Sequence, residues 1–140
     1  MYSANYAKHY RQTGLDSAVL DASPHRLISL MLSGARERAR LAEACLARGD
    51  LARKSQAISD ACSIIGGLNG ALDLDAGGEI AGGLQALYDY AQRRLVEANA
   101  RNDAEPLREV DQLLGEIETA WNAIASANAA AATPAQEVSP

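Results

Sequence analysis

The chain has no phenylalanine, one tryptophan and only five tyrosines in 140 residues. Three of the tyrosines, Tyr2, Tyr6 and Tyr10, stand in the first ten residues, where chains usually fray. Basic residues are also scarce: 13 Lys and Arg face 18 Asp and Glu, a net charge of -5. With no Lys/Arg run to form a patch, a nucleic-acid partner is not expected. No segment approaches the roughly 18–20 continuous apolar residues of a membrane span. The longest strongly apolar stretch, "LISLML" at 27–32, is broken by Ser29. No membrane insertion is expected, and without the basic-then-apolar order of a signal peptide the expected location is the cytoplasm.

Cysteine is nearly absent too. Cys45 and Cys62 lack metal-type spacing. On two helices joined near Gly49 and Asp50 they would differ in height by roughly 11 Å, at ~1.5 Å per residue. That exceeds the ~7 Å a disulfide allows between Cα atoms, so both read as buried free thiols in a reducing compartment. The two histidines, His9 and His25, have no partner at ligand spacing, and no Glu-x-x-His pair occurs. No G-x-S-x-G, phosphate loop or Cys-His-Asn set is visible, and the Gly-rich "GGEIAGG" at 77–83 follows no strand. The expectation is a chain that is not an enzyme, with no catalytic, cofactor-binding or metal-ligating residues and no cofactor.

No stretch alternates apolar and polar residues with β-branched ones, so no strand is expected; helical periods are present instead. Ser23 and Pro24 suit the N-cap and first position of a helix over about 24–48. Its stripe is Leu27, Met31, Gly34, Arg38, Leu41 and Cys45. Gly49 and Asp50 mark the turn into a second helix, about 51–72, with Ile58, Ala61, Ile64, Ile65, Leu68, Ala71 and Leu72 inward. "DLDAGG" at 73–78 reads as a turn. A third helix, about 79–101, turns Ile80, Leu84, Leu87, Ala91, Leu95 and Ala98 inward. The fourth, about 104–125, follows Asp103 and has the most regular stripe: Leu107, Val110, Leu114, Ile117, Trp121, Ile124. Trp121 is expected to be largely buried. The polar, Pro-bearing remainder, 126–140, reads as a disordered tail. Short connections make consecutive helices antiparallel neighbours, so the fold class is all-α: an up-down-up-down antiparallel four-helix bundle over 23–125, preceded by an N-terminal flap or short helix over 1–22.

Gly66, Gly67, Gly70, Gly82 and Gly83 fall inside the second and third helices, where each costs about 1 kcal/mol relative to Ala. They read either as sites of close helix packing or as gaps that leave a groove for a partner's backbone.

Three stretches carry a family likeness: "GLDSAVLDASPHRLISLMLSGA" at 14–35, "GGEIAGGLQALYDYAQRRLVEAN" at 77–99 and "EVDQLLGEIETAW" at 109–121. In this order and at these separations the chain resembles the FliS family, the cytoplasmic chaperones of flagellin export, over about residues 2 to 124. The resemblance implies an antiparallel bundle that binds the disordered C-terminal segment of flagellin (FliC). It also implies prevention of premature polymerisation and delivery of the client to the type III export gate, through the cytoplasmic domain of FlhA. Two departures stand out. Leu32 and Ser33 take the place of an aromatic-Asp pair, and Ala91 replaces the Met of the family's "LYDYM". The groove residues expected are Ile28, Met31, Leu32, Ile65, Leu68 and Leu87. Tyr6 is expected as the flap's anchor and Tyr10 as an export-gate contact. The competing reading is a self-associating structural bundle without a dedicated client, and a second copy of the chain is a candidate partner of the free form.

Overall fold

The computed structural model describes residues 23–138, with side chains described as far as 124. The flap positions Tyr6 and Tyr10 therefore lie outside the described residues. Four helices follow one another: α1 (Pro24–Ala47), α2 (Leu51–Gly70), α3 (Leu74–Arg101) and α4 (Glu105–Val138). There is no strand among the described residues.

Short polar side chains set where each helix starts. Ser23 Oγ accepts from the Arg26 amide at 3.2 Å, Asp50 Oδ1 from Arg53 at 3.3 Å and Asp73 Oδ1 from Ala76 at 3.0 Å. Asp103 Oδ1 accepts from the Glu105 amide at 3.0 Å. These contacts satisfy amides that have no partner within the helix. Gly49, at φ 75°, and Asn102, at φ 50°, turn the chain at the ends of α1 and α3 in the left-handed region.

Two helix limits differ from the expected ones. α3 starts at Leu74 rather than 79, because Asp73 caps one turn that precedes a break at Gly78. Gly78 holds φ 54°, ψ -129°, a conformation open to glycine and strained for other residues. α4 runs on as helix to Val138, past the expected end at about 125. Its Ala125, Ala127 and Ala129 to Ala132 have the highest helix propensity of any residue type, which apolar periodicity does not register.

The helices close into a ring, each beside its neighbours in sequence and α1 also beside α4. Their inner faces bury Leu27, Met31, Leu32, Ile64, Ile65, Leu68, Leu95, Leu107, Val110 and Leu114 almost completely. Alanines share the core with them, among them Ala35, Ala42, Ala61, Ala91 and Ala98. The inward stripe differs from the expected one on three helices; on α4, Ile124 is exposed. On α1, Ala42 is buried and Leu41 is exposed. On α3, Ala81 and Tyr88 point inward, and Ile80 and Leu87 are displaced by one position toward solvent. Cys45 is buried and Cys62 half-buried, and both are free thiols.

Polar side chains tie the ring together. Arg36 on α1 donates to Asp111 and Glu118 on α4, each at 2.8 Å, and Ser33 Oγ donates to Glu118. The guanidinium lies across Gly115, where a Cβ would meet Arg36 Cζ at 2.9 Å. Lys54 is buried at the C-terminus of α3, where its ammonium donates to the Asn99 carbonyl and to Asn102 Oδ1. A cation there also meets the negative end of the helix dipole.

Candidate functional site

Antiparallel order brings the start of α1, the end of α2, the start of α3 and the second half of α4 to one end of the bundle. There residues of all four helices line an apolar groove of about 660 Å³. α1 contributes Ile28 and Leu32, and α2 with its following turn contributes Leu68, Ala71 and Leu72. One wall is α3, with Ala76, Gly77, Ile80, Ala81, Leu84, Leu87 and Tyr88; the other is α4, with Leu113, Ile117, Ala120, Trp121 and Ile124.

Much of this surface is uncovered. Ile80 is 78% exposed, Ile124 52% and Leu87 39%. Apolar side chains at that exposure, contiguous around one cavity, mark a surface that binds something. Tyr88 lies deeper, and burial pushes its phenol up to about 12.

Trp121 is half-buried rather than largely buried, because its ring forms part of the wall instead of filling the core. It stacks on His25 with ring centroids 4.5 Å apart and planes within 7°. Its Nε1 donates to the His25 carbonyl at 3.0 Å, pinning α4 to the first turn of α1. Both contacts fix the indole in place. The groove therefore has a rigid aromatic edge before any partner arrives.

Of the six expected groove residues, the structure brings Ile28, Leu32, Leu68 and Leu87 together along the cavity. Met31 and Ile65 do not line it; both are fully buried on the inner faces of α1 and α2. The expected groove residues all lie on the first three helices, whereas the cavity is also lined by α4 and by Ile80, Leu84 and Tyr88. The available signal was that the α4 stripe continues through Ile124 after the other helices have run out of buried partners.

Gly82 and Gly83 do not mediate close packing: a Cβ at either would meet nothing within 4 Å among the described residues. Nor do they line the cavity. They sit on the outer face of α3. Among the described residues, no three His, Cys, Asp or Glu side chains come together as metal ligands. No helix there is long and apolar enough to cross a membrane.

The family model described as "Flagellar protein FliS" matches residues 6–128 of the chain. The flagellar secretion chaperone FliS of Salmonella typhimurium is 46% identical over 125 residues, covering 89% of this chain and 93% of that one. The flagellar secretion chaperone FliSB of Pseudomonas aeruginosa is 44% identical over 124 residues, covering 89% and 98%. The Bacillus subtilis FliS is 33% identical over 105 residues, covering 75% and 77%. With a match over residues 6–128 and relatives this similar over most of both chains, the chain belongs to the FliS family.

Proposed function

We propose that this protein is a flagellar secretion chaperone that receives the C-terminal segment of flagellin (FliC) in the groove between α3 and α4. The observation that carries the reading is the exposed apolar lining, above all Ile80, Leu87 and Ile124. A segment that is disordered when unbound can wrap such a surface and become helical as it does so, which keeps it from polymerising. The client is then handed, in the cytoplasm, to the export gate through the cytoplasmic domain of FlhA. In this reading Tyr6 anchors an N-terminal flap and Tyr10 contacts the gate. Every step is binding and release, so the role requires no catalysis and no cofactor.

Co-purification with full-length flagellin and with flagellin lacking its C-terminal segment tests the reading. Capture of the first and not of the second is expected; equal capture of both contradicts it. The same exposed lining favours a second reading, in which two copies of the chain bury their grooves against each other. Sedimentation of the chain alone at rising concentration separates the two: a dimer that persists unchanged when flagellin is added supports the second.

A further inference from the structure

The groove is apolar, yet its rim has one sign of charge. The only charged residues lining it, among those described, are Asp73, the N-cap of α3, and Glu116 from α4. The charge is one-sided along both walls. From Ser55 to Gln92 the chain has no Lys or Arg and carries Asp60, Asp73, Asp75, Glu79 and Asp89. From Glu109 onward it again has none, and carries Glu109, Asp111, Glu116, Glu118 and Glu137. Five carboxylates elsewhere on the bundle pair with arginines: Asp111 and Glu118 with Arg36, Glu97 and Glu109 with Arg94, Glu43 with Arg108. Glu116 has no such partner among the described residues and is exposed at the groove's edge. Asp73 uses one oxygen to cap α3 at Ala76.

From this we propose that the groove selects its client by charge as well as by apolarity: it takes a segment whose apolar stripe is flanked by lysine or arginine, drawn in by Glu116 and Asp73. The inference rests on the groove being the client site. A negative rim beside a low-dielectric wall focuses field outward and raises the rate at which a basic-flanked segment arrives. Charges at a rim act mainly on association and on salt dependence, and less on dissociation. An acidic-flanked segment with the same apolar stripe would be repelled before the stripe could dock.

The test uses the full chain and two synthetic peptides. One is the C-terminal segment of the flagellin made by the same bacterium; the other is a copy with its Lys and Arg changed to Glu. Stopped-flow Trp121 fluorescence gives the association rate. At low salt the native peptide is expected to bind Glu116→Lys at least about threefold more slowly than the wild type, as for an exposed ion pair. Glu37→Lys, the same charge change on an exposed site of α1 outside the groove, is expected to leave the rate within about twofold. The deficit should vanish near 1 M salt, where the screening length falls to about 3 Å. The reversed peptide should bind Glu116→Lys faster than it binds the wild type. Asp73→Asn, which keeps the helix cap and removes the charge, should slow the native peptide in the same direction. Equal slowing by Glu116→Lys and Glu37→Lys would reduce the effect to net charge and overturn the proposal while leaving the groove as the client site. So would a native segment that binds well without any Lys or Arg. Failure of the wild type to bind the native peptide at all would overturn the groove reading and this inference with it.

Discussion

Tyr88 is 3% exposed on the inner side of the groove, and burial raises its phenol from an ordinary 10 to about 12. The folded state therefore holds this proton more tightly than the unfolded chain does. The stabilisation is complete below pH 10 and is lost as pH rises from 10 to about 12, a difference of about 2–3 kcal/mol. Denaturant unfolding at a series of alkaline pH values is expected to show that decline in the wild type and a shallower one in Tyr88→Phe. Equal declines would mean that Tyr88 does not carry it. At this scale some of the molecule was legible in the sequence and some was not. Ser23, Asp50 and Asp103 act as the helix starts expected of them, because capping depends only on neighbours in the chain. The depth of Trp121 was not legible. A seven-residue repeat says which way a side chain points on its own helix, and nothing of what covers it from the other helices.

α3 makes the same point for an element. Its expected start came from reading "DLDAGG" as a turn, whereas Asp73 begins one more helical turn and Gly78 breaks it. Its expected inner face was off by one position because Ile80 and Leu87 are larger apolar residues than Ala81, and apolarity alone assigned them to the core. They line the groove instead. The glycines of α3 differ accordingly. Gly82→Ala adds a methyl where nothing stands within 4 Å among the described residues, so it is expected to stabilise the protein by up to about 1 kcal/mol. It should leave client affinity unchanged, since Gly82 is not in the lining. Gly78→Ala forces a side chain into φ 54° and is expected to cost about 1 kcal/mol or more. Thermal unfolding of both variants checks the pair. A destabilised Gly82→Ala would show an unseen contact on that face, and a neutral Gly78→Ala would show that the break relaxes without cost.

At the scale of the whole molecule, the bundle follows from four amphipathic segments and short connections, and both are visible in the sequence. The groove does not follow from them. It is lined by residues of all four helices, a property of the packed elements together that no single stripe records. Periodicity therefore placed Met31, Ile65, Leu32 and Leu68 together as equals; all four are fully buried and Leu32 and Leu68 also line the cavity, whereas Ile80 and Leu87 line it from exposed positions. That contrast gives a way to separate groove from core. Ile80→Asp and Leu87→Asp change exposed side chains and are expected to shift folding stability by no more than about 1 kcal/mol. Met31→Asp places a carboxylate among fully buried apolar residues and is expected to cost about 4 kcal/mol or more.

Titration calorimetry of flagellin's C-terminal segment into the wild type and into Ile80→Asp/Leu87→Asp tests the central claim most directly, with melting of each protein recorded alongside. The wild type is expected to bind with a negative heat-capacity change, as apolar burial with coupled folding requires. The double variant should melt cooperatively near the wild-type temperature and bind at least about tenfold more weakly, the equivalent of about 1.4 kcal/mol. A folded double variant that binds the segment as tightly as the wild type would place the client elsewhere on the bundle and contradict the account.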